Sequence, residues 1–392
     1  MEKVCDVLVV GAGPAGSSAA RAAARFRART VFIDKKEEIG VPVQCAETIG
    51  KYLLPLLPFK IPKDQLVWKI KGMTFWAEGI KITRQGRFWA GYAIDRKNFD
   101  KWLASLAVRA GAELQTSAEL VDLEVDDKYK VKRAYVRTPH GVISIRPKVV
   151  IAADGVESSV LRLLGFKINK KENLGEVLGF EMRNLNLEKP NYDHLFLGDF
   201  APGGYAYIFP KSKHAANVGV ATLFPSKSLE EYYEEFLEIP EVKRQLDGGV
   251  VVEEKSGKVP ARNLVDRWVY GNVLLAGDAA NQNIKPFVEG ILPSVICGDI
   301  AGRVAAAVVK GVGLIDTYPK RVKMKLGRLL KRSNAVMSVN DSLFRQGAKG
   351  ALLSLCLLAE VVPLREIIKL GEEEYTSVKR YIEDLSVRWG SK

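Results

Sequence analysis

Three glycines and a short set of acids carry the first chemistry legible in this chain. Gly11, Gly13 and Gly16 stand in the run Gly-Ala-Gly-Pro-Ala-Gly, directly after an apolar stretch at 6–10 and directly before an alanine-rich stretch at 17–24. A strand, a glycine turn and a helix in that order make a dinucleotide cradle. Gly11 permits the tight turn, Gly13 lets the backbone approach a pyrophosphate, and Gly16 lets the helix lie close on the sheet. Ala15 sits at the helix N-terminus, where free N–H groups and the helix dipole stabilise phosphate charge. A second apolar run at 30–33 ends in Asp34, 18 residues beyond Gly16, with Lys35 next to it. A carboxylate in that place accepts hydrogen bonds from a ribose hydroxyl pair. Two later acids repeat the strand-end placement. Segment 149–165 (VVIAADGVESSVLRLLG) runs into Ala153, Asp154 and Gly155 and then a helix, and segment 273–280 (VLLAGDAA) runs into Gly277 and Asp278. In an open α/β sheet the ligand crevice lies at the carboxyl ends of the strands, so both acids read as contacts to ribityl or phosphate-linked groups. For either alone, a helix N-cap is the other reading.

The elements that must hold these groups belong to a chain of 392 residues, 47% apolar and 27% charged, long enough for two or three interleaved domains. Alternating strands at 205–209 and 217–221 predict an antiparallel sheet between 175 and 221, where a substrate would bind. Four widely spaced cysteines and three scattered histidines predict neither a metal centre nor a disulfide framework. No second glycine fingerprint with strand and helix context predicts a separate NAD(P)H domain. The net charge of +13 is uneven: 319–349 holds nine Lys and Arg against one Asp, just before the apolar run 351–359. Nine apolar residues are too few to span a bilayer, which needs about 20, so that run reads as a buried or an interfacial helix. The basic stretch reads either as a solvated face or as a peripheral contact with anionic lipid. With the first strand pattern starting at Asp6, a cytoplasmic protein is expected, peripheral at the inner face of the membrane on the second reading. No nucleic-acid partner is expected.

The order GxGxxG, central DG, late GDAA resembles the group-A flavoproteins with a hydroxybenzoate-hydroxylase-like fold. The resemblance implies FAD as cofactor, Asp278 near its ribityl and pyrophosphate region, and the loop 281–290 and helix 291–309, joined at Gly290 and Ile291, against the isoalloxazine. Arg96 matches an Arg that in this fold lies near the FAD, a surface helix start being the other reading. The expected fold is α/β. A discontinuous Rossmann-type FAD-binding domain (1–60, 92–165, 258–310) is interleaved with an antiparallel-sheet substrate domain (61–91, 166–257) and followed by a helical C-terminal region (311–392).

Two further segments are similar to the geranylgeranyl reductases. Segment 202–211 (PGGYAYIFPK) resembles their YxWxFP pattern, which implies that Tyr205, Tyr207, Phe209 and Pro210 line an apolar tunnel for a prenyl chain. Segment 40–47 (GVPVQCAE) resembles their CxE loop beside the flavin. It implies that Cys45 and Ala46 touch the cofactor and that Cys45, or water ordered near Glu47, delivers a proton. Tyr207 replaces the usual Trp, Ala46 a frequent Gly, and Asn281 and Glu289 stand where Gly is common. The implied activity is FAD-dependent reduction of isoprenoid C=C bonds in geranylgeranyl chains of membrane lipid precursors, with ferredoxin or NAD(P)H as electron donor. The same frame also hosts monooxygenases of aromatic or isoprenoid substrates and redox-neutral prenyl cyclases or isomerases. Product mass separates the three: a gain of two hydrogens, an added oxygen, or no change.

Overall fold

The first apolar run becomes the strand Glu2–Val10, whose last six residues are all buried, as a strand covered on both faces requires. In this computed structural model, which describes residues 2–168 and 173–390, that strand pairs in parallel with Thr30–Ile33 on one side and Gly141–Ala152 on the other. Glu113–Gln115 extends the sheet beyond the former, and Val273–Leu275 beyond the latter, again in parallel. The direction of winding thus reverses at Glu2–Val10. Backbone bonds from Gly11 N–H to the Ile33 carbonyl (2.8 Å), Ala153 N–H to Val10 (2.8 Å) and Ala276 N–H to Ala152 (2.9 Å) bring all four strand ends to one edge. Such a switch point is where an open sheet takes its ligand.

Helices Pro14–Arg25 and Ile291–Val309 pack against each other beside this sheet. Their backbones nearly touch: a Cβ on Gly298 would lie 2.1 Å from the Ala15 carbonyl oxygen, and one on Gly302 the same distance from Ala19 O. Ser18 Oγ donates to Val295 O at 2.7 Å across the same seam. Ile291–Val309 is also the one helix among the described residues long and apolar enough to cross a membrane, and most of it is buried in the protein.

A second eight-stranded sheet runs Val250–Glu254, Leu174–Arg183, Ala215–Thr222, Tyr205–Pro210, Tyr192–Leu197, Gly72–Ala77, Ile80–Gln85, with Gly257–Pro260 joined to Leu174–Arg183. It is antiparallel except for the pair Tyr192–Leu197 and Gly72–Ala77, which is parallel. Period-2 alternation gives it two apolar faces. Phe196, Ile208 and Val218 lie under the helix Leu229–Leu237. Phe75, Leu195, Tyr207 and Phe209 lie under the C-terminal helices Gly347–Leu358 and Tyr375–Gly390. The run 351–359 is therefore a buried helix rather than an interfacial one, with Leu352, Leu353, Leu355 and Cys356 fully enclosed.

One long helix, Thr317–Leu343, joins the two cores. Its N-terminal part sets Tyr318, Val322 and Leu326 into the core of the first sheet, and Tyr318 Oη donates to the Leu275 carbonyl at 2.7 Å. Its C-terminal end sets Leu343 into the core of the second.

Candidate active site

The glycine turn has the form that a dinucleotide requires. Gly11 has φ +97°, and a Cβ there would stand 2.3 Å from the Ala153 carbonyl oxygen. One on Gly16 would stand 1.8 Å from Gly11 O. A Cβ on Gly13, by contrast, would meet nothing within 4 Å, and Gly13 caps the helix Pro14–Arg25 with no side chain bonded to its first turn. Open space in front of uncapped N–H groups fits a pyrophosphate. Asp34 fixes the turn from the second strand: Oδ2 accepts from Ala12 N–H at 2.8 Å and Oδ1 from Lys36 N–H at 2.9 Å, with lone pairs left for ribose hydroxyls. Lys35 is exposed, and it is Lys36 whose Nζ turns back over the loop to the Pro42 carbonyl at 3.3 Å.

The two later acids part company. Asp154 accepts from Ser158 Oγ at 2.7 Å and from Val160 N–H at 3.0 Å, and so braces Ser158, the N-cap of the helix Ser159–Leu163. Both of its oxygens are thus engaged at the start of that helix. Ala153 and Gly155 contribute backbone only, the first against Gly11 and the second as a turn with φ +80°. Asp278, after Gly277 at φ +71°, faces the cavity. Burial raises its pKa, while Arg96 and Lys285 nearby pull the other way. Gly290 packs beside it at the start of Ile291–Val309: a Cβ there would lie 3.3 Å from Asp278 Oδ1.

Cys45 is half-buried, its Sγ accepting from Glu47 N–H at 3.2 Å and lying against the Arg96 guanidinium. Arg96 is itself held by two bonds to Asp100, at 2.8 and 2.7 Å. Burial opposes its charge, but Asp100 and Cys45 outweigh that and raise its pKa. Arg96 is thus an inward, cavity-lining residue and not a surface helix start.

Glu47 sits at the centre of a buried ionic cluster. It is only 1% exposed; Oε1 accepts from Arg96 N–H at 2.7 Å, and Oε2 from Lys211 at 2.6 Å, from Asn217 at 3.1 Å and from Lys255. Both lysines also donate to Glu181 Oε2, at 2.7 and 2.8 Å. Burial alone would raise the Glu47 pKa, but the two ammonium groups win and lower it. Glu47 is a clamp that fixes the Cys45 loop to the substrate sheet; Lys255, Glu181 and Asn217 were not singled out from sequence, because they converge from distant segments, and Lys211 entered only as the last residue of segment 202–211.

The loop 281–290 is stapled on two sides. Glu289 accepts from Gly50 N–H at 2.7 Å and from Tyr52 Oη at 2.8 Å, while Tyr205 Oη donates to the Phe287 carbonyl at 2.8 Å. The Glu289 that departs from the family pattern is therefore an anchor. Lys285, in the same loop, is buried, and its pKa is brought down to about 8 by burial against the pull of Asp278.

These groups enclose a cavity of about 350 Å³ that runs from Pro14, Arg96 and Asp278 to the helices Thr317–Leu343 and Gly347–Leu358. Ala46 lines it beside Cys45, and Ile291 lines it beside Gly290. Tyr205, Tyr207 and Phe209 form one wall, with Tyr207 and Phe209 rings 4.8 Å apart. The Tyr207 hydroxyl lies over Gly179 and Gly219, where a Cβ would come within 2.4 and 2.6 Å of it. Pro210 does not reach the cavity: it ends its strand opposite Ala216. All four cysteines are free, and no metal-binding cluster occurs among the described residues.

Known proteins are similar to this chain. Families described as FAD binding domain match residues 6–68 and 65–286. A digeranylgeranylglycerophospholipid reductase of Methanocaldococcus jannaschii is 38% identical over 98% of this chain and 99% of its own. One of Methanococcus aeolicus is 37% identical over 80% of this chain and 79% of its own. Among solved structures, a geranylgeranyl bacteriochlorophyll reductase-like protein of Thermoplasma acidophilum superposes with a TM-score of 0.81 at 28% identity, covering 98% of this chain and all of that one. A flavin-dependent brominase, at 17% identity and TM-score 0.69 over 98% of this chain and all of that one, shares the fold.

Proposed function

Because the chain belongs to the digeranylgeranylglycerophospholipid reductase family, we propose that it is an FAD-dependent oxidoreductase that saturates C=C bonds in geranylgeranyl chains of membrane lipid precursors. The observation that carries this reading is the aromatic-walled cavity opening directly from the nucleotide cradle. Gly11, Gly13, Ala15, Gly16, Asp34, Asp278 and Gly290 would hold FAD, which when reduced supplies hydride. The remaining chemistry falls to the protein. Tyr205, Tyr207, Phe209, Trp89 and Phe287 give a prenyl chain an apolar wall, where each buried CH₂ contributes about 0.8 kcal/mol. Their packing also keeps water from the alkene. The test is single turnover: the holoenzyme is reduced with dithionite without oxygen and mixed with a geranylgeranyl lipid. Flavin reoxidation with a gain of two hydrogens per bond is expected. No reoxidation by lipid, with an oxygenated product once oxygen is admitted, would move the assignment to a monooxygenase. Turnover calls for a separate redox partner, and ferredoxin and NAD(P)H can each replace dithionite in the same assay.

The reading extends to a peripheral site of action at the inner face of the membrane. Supporting it, Val312, Leu314 and Met324 protrude at 77%, 74% and 80% exposure beside exposed Lys320, Arg321, Lys323, Lys325 and Arg328. Apolar side chains ringed by cations suit an anionic headgroup layer. The same helix lines the cavity through Leu329, Ser333 and Val336, so a docked surface would lie near the substrate's way in. The holoenzyme is expected to float with phosphatidylglycerol vesicles and to stop doing so when Lys323→Glu and Met324→Glu are combined; flotation unaffected by that pair would refute the contact.

A further inference from the structure

We propose that Asp193 is the general acid of the reduction, its carboxyl giving the proton to one alkene carbon while the other takes hydride; the proposal rests on the reductase reading above. Asp193 lies in the strand Tyr192–Leu197, opposite Met73 of the parallel neighbour Gly72–Ala77. Alternation puts it on the face that carries Leu195 and Leu197, the face that packs with Phe75 and Tyr207. It lines the cavity and is 2% exposed. Cavity acids other than Asp193 are engaged: Glu47 by two lysines, Glu289 by Gly50 and Tyr52, Asp278 near Arg96 and Lys285, Glu360 by Arg332. Asp193 is different. Among the described residues no hydrogen bond reaches either of its oxygens, and Oδ1 is wholly buried without a partner. The titratable groups that face it are Glu289 from the loop 281–290 and Tyr205 from the neighbouring strand, and neither is a cation.

A carboxyl so placed is kept neutral, burial first and Glu289 second raising its pKa well above the ordinary carboxylate range. A buried polar group left unpaired destabilises a fold, and its presence in the wall of a prenyl cavity is explained if the substrate is its partner. The step balances. The alkene π pair forms a C–H bond with the Asp193 proton, the adjacent carbon takes hydride from reduced FAD, and the aspartate left behind regains a proton from water, leaving FAD oxidised.

The test uses holoenzyme with Asp193→Asn, which keeps shape and removes the acid. Lipid binding, read from perturbation of the oxidised flavin spectrum, should be unchanged. Single-turnover reoxidation of the reduced variant by geranylgeranyl lipid should slow on the order of a hundred- to ten-thousand-fold. The infrared band of a buried neutral carboxyl should be present in the wild type and missing from the variant. In the wild type, where folding of a variant is not at issue, the single-turnover rate and that band should be lost together as pH rises. Asp193→Asn reacting at the wild-type rate, or a rate that falls with pH while the band persists, overturns the acid role and leaves the reductase reading intact. A wild type that lipid does not reoxidise overturns both.

Discussion

Glu47→Ala is expected to destabilise the protein by about 3–5 kcal/mol, because it leaves two buried ammonium groups with a single carboxylate between them. Lys255 and Lys211 side chains are 2% and 12% exposed, so neither can recover hydration by a small movement. Denaturant unfolding of apo and FAD-loaded protein measures the loss, and a change under about 1 kcal/mol would show that water enters the cluster and that the clamp is weak. Replacing Glu47, Lys211, Lys255 and Glu181 together by Leu, two Met and Gln should recover much of the stability, since removing a whole ionic cluster costs far less than orphaning its members. The same cluster sets an acid limit. Burial opposes the Glu181 charge, but Lys211 and Lys255 bring its pKa from 4.5 down to about 2. With the folded value below the unfolded one, its contribution is complete above about pH 4.5 and is lost as pH falls from there toward 2. Midpoints of unfolding should drop through that window in the wild type, and the drop should shrink in the quadruple variant.

The nucleotide half was legible because its signals are local. The Gly11 to Gly16 turn, the two strands and Asp34 lie within 34 residues, and each is dictated by backbone geometry that admits few residue types. At Asp154 the same locality left two roles open, because a strand-end acid before a helix satisfies the capping rule as well as the ligand rule, and the fold adds its bonds to Ser158 and Val160 at that helix start. Glu47 was found through the resemblance of segment 40–47 to the CxE loop of the geranylgeranyl reductases, yet its ionic partners were not. The lysines that neutralise it, Lys211 and Lys255, each stand one residue past the end of a strand, where no periodic pattern says which way a side chain turns. Asp193 was equally invisible. In the run Tyr-Asp-His-Leu-Phe-Leu nothing local marks the acid, and only the packing of the C-terminal helices over that face encloses it.

Gly298→Val is expected to yield protein that purifies without flavin. The added Cβ would stand 2.1 Å from Ala15 O, a backbone atom that cannot rotate away, and the branched methyls extend the clash along the seam toward Ser18. Overpacking of this kind costs typically 1–3 kcal/mol when the surroundings yield. Here what must yield is the helix Pro14–Arg25, whose N-terminus is the phosphate site, so the loss should fall more heavily on cofactor binding than on folding. Gly165→Ala separates this from ordinary glycine strain. Gly165 has φ +88° and an added methyl there would meet nothing within 4 Å, so this variant should lose about 1 kcal/mol and keep its flavin. Flavin content per chain and FAD affinity by fluorescence quenching compare the two. Equal retention of FAD in both variants would mean that Ile291–Val309 can slide away from the cradle without disturbing it, and that the close approach at Gly298 serves packing alone.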